Sequence, residues 1–528
     1  MDLHINPFFF EYEKLKTHFA ESEEKHQKEI RLLKEQIQYL AQKLYGRKSE
    51  KIPYDDKQLL LFEEMEDTAT PVIEQEEIKD TPAKNGKKRG RKALPPELPR
   101  VDVIHDLDEN DKICECGCAK TRCGEETSEQ YDVVPATYRV IRHIRYKYAC
   151  KNCEGVESEK PTVMIAPPAV TFLPRCNATE GLIAQIIVHK FADALPFYRQ
   201  QKILARHDIE IPRATMCNWT IMASENCVIL LELLQKELLS GPLINVDETT
   251  VQVHKEHGRK NTSTSYMWVF CGGPPTAPVV LFTYDPTREG RVANDFLCDY
   301  RGFVQTDGYA GYNFLDGRKD IVHVGCWAHA RRKFMEAAKL VKKPKDGESY
   351  TSAADEAVAF IRKLYAVEKE AKEKSVSFEE WAELRLEKSK PVLDAFKAWL
   401  LEKSAITLPK SALGKSIAYT LSQWDRLVRY MDDVIIQPDN NRAENAIRPF
   451  VLGRKNWLFS DTPGGAKASA TFYSLIETAK ANSLEPASYL KYIFLKLPYA
   501  KTIDDHKALL PQYLDRDVMA AVLESAVF

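Results

Sequence analysis

The chain has 528 residues, with 75 Lys and Arg against 77 Asp and Glu, 12 His, 12 Cys and 44% apolar residues. That balance fits well-packed globular domains, roughly three or four of them, and excludes both a disordered or fibrous chain and a globally basic one. No run approaches the roughly 18 to 20 consecutive apolar residues of a membrane-spanning helix, and the stretch from Met1 to Lys16 is too acidic and too short in its apolar core for a secretory signal, so a cytoplasmic protein with no membrane partner is expected.

Residues 1–50 carry apolar side chains at heptad spacing: Phe9, Tyr12, Phe19, Ile30, Leu33, Ile37, Leu40 and Leu44. The heptad breaks at Lys16, Glu23 and His26, which leaves Ile30 to Leu44 as the seam. A coiled coil that assembles the chain as a homodimer or higher oligomer is expected, against the alternative of an amphipathic helix packed on its own protein. Residues 51–100 are a linker of two halves. Between Glu63 and Asp80 there are eight acids and one lysine, a solvated tract. Lys84 to Lys92 then carries six cations and no acid, followed by Leu94-Pro-Pro and Leu98-Pro. A segment held extended by prolines can lie in a minor groove, so Lys88, Arg89, Arg91 and Lys92 are expected to contact DNA, with a charged linker as the alternative.

Residues 101–160 hold the cysteine cluster. Cys150-x-x-Cys153 is one half of a tetrahedral zinc site, and Cys114, Cys116, Cys118 and Cys123 offer the other half some way upstream. In a reducing compartment such spacing points to metal rather than cross-links. Four thiolates would leave no open position, so a bound Zn²⁺ is expected to be structural, against the alternative of reduced thiols in a small unmetallated subdomain. The isolated Cys176, Cys217, Cys227, Cys271 and Cys298 are expected to be buried small apolar residues. Residues 161–240 read as helices, with a turn at His207 and Asp208 and a second helix opening at Pro212-Arg-Ala-Thr215, compatible with a helix-turn-helix as well as with two ordinary packed helices.

At residue 243 the pattern changes to strands: Leu243–Asp247, Tyr266–Phe270, Pro278–Tyr284, Gly302–Asp307 and Ile321–Gly325. Helical periodicity returns over residues 348–430, again from about Asn441, and in a tail over residues 486–528. Two strands end on an aspartate, Asp247 and Asp307. Carboxylates at the ends of neighbouring strands make a site for hard divalent cations, which take oxygen ligands. A third acid is supplied best by Glu444, early in a helix that Asp439 or Asn440 caps, with Arg448 one turn further on. Three acids holding two ions about 3.5 to 4 Å apart suit in-line displacement at phosphorus. Arg442, Arg448, Arg454 and Lys455 then become candidate phosphate contacts, and Trp457 either stacks on a base or packs in the core. Cys326 and His329, at C-x-x-H spacing, read as a packed thiol and a DNA-facing imidazole.

The words around these residues carry more than their spacing. Asn245-Val-Asp-Glu-Thr249, Thr306-Asp-Gly-Tyr-Ala-Gly-Tyr312, Gly325-Cys-Trp-Ala-His-Ala-Arg-Arg-Lys-Phe334, Asn440-Asn-Arg-Ala-Glu-Asn-Ala-Ile-Arg-Pro449 and Gly453-Arg-Lys-Asn-Trp-Leu-Phe459 together resemble the DDE transposases of the insertion-sequence 66 family. The resemblance extends upstream through Leu44-Tyr-Gly-Arg-Lys-Ser-Glu-Lys51, Gly90-Arg-Lys-Ala-Leu-Pro-Pro-Glu-Leu-Pro-Arg100, Lys147-Tyr-Ala-Cys-Lys-Asn-Cys-Glu154 and Leu195-Pro-Phe-Tyr-Arg-Gln200.

The resemblance implies a multidomain α+β protein whose RNase H-like α/β core, residues 241–485, takes Asp247 and Asp307 from strands and Glu444 from a helix, with a helical insertion at about 345–430. It implies Mg²⁺ (or Mn²⁺) at those three acids, hydrolysis at transposon ends, and attack of the freed 3'-hydroxyl on target DNA. Accessory proteins encoded by the same element, and a place on the bacterial nucleoid, follow from the same likeness. The family's first zinc half-site resembles C-x-x-C-Gly, whereas this chain has Cys114-Glu-Cys-Gly-Cys118, which favours Cys114 and Cys116 with Cys118 as substitute. Two other readings stand beside a transposase: a DNA-binding regulator with an inactive core, and a metal-dependent nuclease that cuts without joining.

Overall fold

The computed structural model describes residues 137–149, 163–341 and 351–525, residue 130, and scattered positions between Leu15 and Ile37. The chain falls into two units, residues 1–46 with 145–528, and residues 47–144. The described positions between Leu15 and Ile37 are helical, and Leu15, Phe19, Ile30, Leu33 and Ile37 among them are exposed. Leu40 and Leu44, the acidic tract, the basic residues Lys88, Arg89, Arg91 and Lys92, and the cysteines Cys114, Cys116, Cys118, Cys150 and Cys153 lie outside the described residues.

Two short strands, β1 (Lys147–Ala149) and β2 (Val163–Ile165), pair antiparallel. Four helices follow: α1 (Glu180–Phe191), α2 (Phe197–Ala205), α3 (Arg213–Asn226) and α4 (Val228–Leu239). Thr179 caps α1 by accepting from the Leu182 N–H at 3.3 Å. Between α2 and α3 the chain turns through Asp208 at φ 57°, a left-handed position that Asp tolerates better than most residues. Helix, turn and helix follow one another here, an order that a helix-turn-helix and two ordinary packed helices share, and Leu204 of α2 and Met216 and Trp219 of α3 belong to the core shared with the sheet that follows.

That sheet is mixed. β3 (Leu243–Val253), β4 (Thr264–Gly272) and β5 (Val279–Asp285) form an antiparallel meander. After α5 (Gly290–Phe296), the strands β6 (Gly302–Gln305) and β7 (Ile321–Val324) add in parallel on the free side of β3, giving the order β5-β4-β3-β6-β7. β4 is buried from Met267 to Cys271, so it reads as an unbroken apolar run rather than an alternating one. All five strands expected from sequence occur, with one correction. Asp247 does not end its strand: β3 continues to Val253 because its pairing with β4 persists to Gln252↔Thr264, while its pairing with β6 stops at Asn245↔Gln305.

The helices after the sheet are α6 (Trp327–Lys339), α7 (Ala353–Glu373), α8 (Phe378–Leu384), α9 (Lys390–Ile406), α10 (Ala412–Ser422), α11 (Trp424–Val428), α12 (Asn441–Trp457), α13 (Pro463–Ala481), α14 (Pro486–Lys496), α15 (Ile503–Lys507) and α16 (Arg516–Ser525). The short β8 (Phe459–Ser460) pairs with the far end of β3. α13, rich in Ala, Ser and Gly, lies close against β5 and completes its open edge: Ser474 Oγ accepts from Phe282 N at 2.8 Å, and Thr478 Oγ1 accepts from Val280 N at 3.0 Å and donates to the Val280 carbonyl at 2.9 Å. An edge that would otherwise invite pairing with another chain is thereby satisfied. The tail packs on the same core, with Phe494 of α14 stacked on Phe172 at 4.3 Å between ring centroids.

A second core, built from Trp327, Phe334, Ile361, Leu364, Phe396, Ile417, Trp424 and Leu427, belongs to α6, α7, α9, α10 and α11. This second core takes in α6 from Trp327 onward, because α6 turns its apolar face to the helices that follow it. At its centre Arg385 and Glu368 form a bidentate pair, Nε–Oε1 2.9 Å and Nη2–Oε2 2.8 Å, with both side chains almost wholly buried. The same guanidinium donates to the carbonyls of Tyr430, Asp433 and Ile436, 2.8 Å for the last two. Arg385 opens a π-helical segment, Arg385–Ser389, between α8 and α9. Removing one partner strands the other charge, so Glu368→Ala should lower the stability of the helical unit by about 3 to 5 kcal/mol, seen as a fall in its urea midpoint, and Glu368→Gln should lose less.

Candidate active site

β3 and β6 are in register up to Asn245 and Gln305, and the two aspartates each follow by two residues. Strand alternation puts Asp247 on the same face of β3 as Asn245. Asp247 Oδ1 accepts from the Glu248 N–H at 2.9 Å, and Asp307 Oδ1 accepts from the Tyr309 N–H at 2.9 Å in the turn that ends the β6 segment. Glu444 arrives in the first turn of α12, the helix that lies against β3 and β4. Its N–H bonds the Asn440 carbonyl at 3.2 Å, so Asn440 begins the helix, yet the Asn440 side chain does not cap it. Asp439 accepts from Asn441 N at 3.2 Å instead.

The three carboxylates are close enough to feel one another. Burial, and then the charges of Glu248, Glu444 and Asp307, push the Asp247 carboxyl well above the usual range for an aspartate, against one backbone N–H that favours its ionised form. Glu444 stands 3.7 Å from His329 Nδ1 and 3.5 Å from Arg332 Nη2, both from α6. Those are ion-pair distances too long for hydrogen bonds, and Glu444 Oε1 and His329 Nδ1 are buried atoms with no hydrogen-bond partner. Cys326 Sγ, His329 and Glu444 present ligand atoms within 4.8 Å of one another. Excess negative charge, an orphaned carboxylate oxygen and an all-oxygen triad fit a hard divalent cation. Asp247, Asp307 and Glu444 are the residues that would hold it.

Several neighbours escaped the sequence reading. Glu248, beside Asp247, is buried and paired with Arg288, Nε–Oε1 2.7 Å, and it accepts from the Tyr312 hydroxyl. The Arg288 guanidinium lies 3.8 Å from the centre of the Tyr309 ring, and the Tyr309 hydroxyl donates to the Arg288 carbonyl at 2.8 Å. Arg288 and Tyr309 thus form a wall next to Asp307. Glu248, Tyr309 and Tyr312 stand inside the sequence words quoted above, but only a buried acid's need for partners gives them a role. His329 faces Glu444, and Cys326 is packed in the interior, accepting from the Asn440 N–H at 3.2 Å.

The basic residues on α12 divide. Arg442 donates to the Gly272 carbonyl at 2.9 Å, tying the helix to the end of β4. Arg454 reaches Thr250 Oγ1 on β3 at 2.8 Å. Arg448 meets Asn445 Oδ1 at 3.4 Å, and Lys455 is exposed. Trp457 packs edge-on against Phe191 with the Lys190 ammonium 4.6 Å from its ring centre, so its rings are engaged within the protein. Of the isolated cysteines, Cys227 and Cys271 are buried and Cys176 half-buried, whereas Cys217 and Cys298 are exposed, which corrects the expectation for those two: each sits on a helix face or turn that meets solvent.

Comparison with known proteins makes the chain a transposase. The model described as "Transposase IS66 family" matches residues 175–468, that for "Transposase C of IS166 homeodomain" residues 32–103, that for the "zinc-finger binding domain of transposase IS66" residues 111–154, and that for the "IS66 C-terminal element" residues 474–512. The chain belongs to the IS66 transposase family. Among its relatives are two uncharacterised proteins of Sinorhizobium fredii: y4jD, 32% identical over 91% of this chain and 94% of its own length, and y4qI, 29% identical over 90% and 87%. Among the described residues no helix is long and apolar enough to cross a membrane.

A carboxyl whose folded pKa is raised stabilises the fold below its unfolded value, near 4, and that contribution is lost as pH rises through the folded value. Asp247→Asn removes the loss. The variant should therefore melt higher than the parent at pH 7 without divalent metal, match it near pH 4, and show less stabilisation by Mg²⁺; superimposable profiles would contradict the charge balance described here.

Proposed function

We propose that the chain cuts and joins DNA at the ends of an insertion sequence, with Asp247, Asp307 and Glu444 as its catalytic and metal-holding residues. The observation that carries this reading is the meeting of two acids from adjoining parallel-paired segments with a third from the helix laid across them. The strand order, an antiparallel meander of three with two strands parallel beside its first, supports an RNase H-like core. Mg²⁺ or Mn²⁺ bound there would activate a water or 3'-hydroxyl and stabilise the leaving oxygen. The chain's own residues do the rest. Asp247 and Asp307 are fixed by backbone N–H groups, His329 and Arg332 flank Glu444, and Arg288 with Tyr309 bounds the Asp307 side. Arg448, Arg454 and Lys455 face phosphates, and the exposed Arg442 holds α12 to the sheet through one guanidinium N–H while offering its remaining donors to DNA.

The surrounding organisation is proposed on the same footing: a coiled coil over residues 1–50 that assembles a homodimer or larger complex, a linker with a DNA-contacting arm at Lys88, Arg89, Arg91 and Lys92 over 51–100, a zinc-binding segment over 101–160 using Cys114, Cys116 (or Cys118), Cys150 and Cys153, and a helical DNA-binding region over 161–240. The catalytic core spans 241–485 and a helical tail 486–528. DNA is the partner throughout, with accessory proteins of the same element beside it, in the bacterial cytoplasm. The intact set of acids favours this reading over an inactive regulator, and the amino-terminal modules favour it over a simple nuclease.

Asp307→Asn should abolish cleavage of labelled terminal-repeat DNA in Mg²⁺ and leave gel-shift binding largely unchanged; undiminished cutting would remove Asp307 from the site. Elemental analysis should find about one zinc per chain, reduced in Cys150→Ser, and a folded, zinc-free parent would overturn the cysteine assignment.

A further inference from the structure

Beneath the three acids lies a second set of three side chains, all amides and all buried: Asn245 at 3% exposure, Gln305 at 0% and Asn440 at 1%. Asn245 and Gln305 are direct partners across β3 and β6. The Asn245 amide donates one N–H to Gln305 Oε1 at 2.9 Å and the other to Asn440 Oδ1 at 2.9 Å. Gln305 Nε2 donates onward to the Gly325 carbonyl at 3.1 Å and the Gln437 carbonyl at 2.9 Å. Asn440 Nδ2 returns to β3 by donating to the Val246 carbonyl at 2.8 Å, and its backbone N–H reaches Cys326 Sγ at 3.2 Å. One connected unit therefore bonds β3, β6, the exit of β7, the segment before α12 and the residue from which that helix starts.

Each amide precedes one acid by a single structural repeat. Asp247 follows Asn245, and Asp307 follows Gln305, by two residues, about 7 Å of extended chain. Glu444 follows Asn440 by four residues, about 6 Å and one turn of helix, with side chains on one face and tilted back toward the helix start. Three carboxylates gathered without a cation repel one another, and Arg332 at 3.5 Å from Glu444 and one backbone N–H on each aspartate offset only part of that push. Apolar side chains at the three buried positions would fill space equally well but would leave the strands and helix free to slide; the amide N–H groups, all directed at acceptors on neighbouring elements, fix one arrangement even though Asn245 Oδ1 is left without a partner.

We propose that Asn245, Gln305 and Asn440 are positioning residues that hold the three metal-binding carboxylates at working separation against their repulsion. The inference rests on the catalytic reading given above. Asn245 is the hub, because both hydrogens of one amide are shared between the other two.

The test uses the full-length chain and four proteins: the parent, Asp307→Asn, Gln305→Met and Asn245→Ser. Mn²⁺ affinity is read by electron paramagnetic resonance, Mg²⁺ dependence by end cleavage, and folding by thermal melting and end-DNA binding. Gln305→Met keeps volume and removes the bonds; Asn245→Ser retains one donor and serves if the first variant fails to fold. The expected result is a folded, DNA-binding Gln305→Met protein whose Mn²⁺ affinity falls about tenfold or more, the equivalent of one buried hydrogen bond, with cleavage recovered at high Mg²⁺. Asn245→Ser should fall between it and the parent. Unchanged Mn²⁺ affinity and Mg²⁺ dependence in the folded variants would overturn the proposal, and so would failure of both to fold, since the amides would then serve the fold as a whole. Cleavage by Asp307→Asn would instead overturn the catalytic reading itself.

Discussion

The central constraint is that β3 has different partners on its two sides. Against β4 it is paired along nearly its whole length, and against β6 only as far as Asn245. Past that point the strand stays rigid while one side lies open, so Asp247 keeps a fixed backbone and a reachable carboxylate together. A strand that ended at Asp247, as its sequence suggests, would frame the acid with a mobile turn. The continuation to Val253 also gives β8 an edge to pair with, which returns the chain from α12 to the sheet and limits how far that helix can shift.

Glu444 is remote in sequence from Asp307, and the helical unit between them is stitched shut at its mouth. Gly325 N bonds the Arg426 carbonyl at 2.9 Å, Trp327 N bonds the Pro438 carbonyl at 2.9 Å, Trp327 Nε1 bonds the Leu427 carbonyl at 2.9 Å, and Arg429 reaches the His323 carbonyl at 2.7 Å. The way out of the sheet and the way back are thus neighbours. Closing a long excursion costs only logarithmically more than closing a short one, so an excursion of this size is tolerable provided its ends are pinned. Arg385 does the inner part of that pinning, because the carbonyls it takes, Tyr430, Asp433 and Ile436, belong to the segment leading to α12.

The strands were legible because β4 and β5 are nearly continuous apolar runs between Gly, Pro and Asp; Asp247 and Asp307 stood out at the ends of expected strands, and Glu444 by its place early in a capped helix. What stayed hidden follows from long-range partners. Asn440 has the composition of a helix cap, and only the proximity of Asn245 and Val246 shows that its side chain turns inward. Gln305 and Asn245 read as ordinary polar strand residues until the register places them side by side. α6 belongs to the helical unit since Trp327 and Phe334 meet Phe396 and Trp424, contacts that no local periodicity encodes. Cys217 and Cys298 misled because a lone cysteine's burial is set by which face of its element meets solvent, and the sequence does not state that.

Two adjacent acids on β3 make the logic of the site plain. Glu248 is buried and paired within the chain, by Arg288 and by the Tyr312 hydroxyl. Asp247, half-buried beside it, receives one backbone N–H, and among the described residues no basic side chain forms an ion pair with it. Its neighbours add negative charge instead. A fold that can place a guanidinium against one carboxylate can place one against the next, and leaving Asp247 uncompensated costs stability that a second arginine would restore. In the metal-binding reading proposed above, the missing charge comes from outside the chain. An internal cation would occupy the very oxygens that a divalent ion must take, so the destabilised carboxylate and the ability to bind metal are the same property.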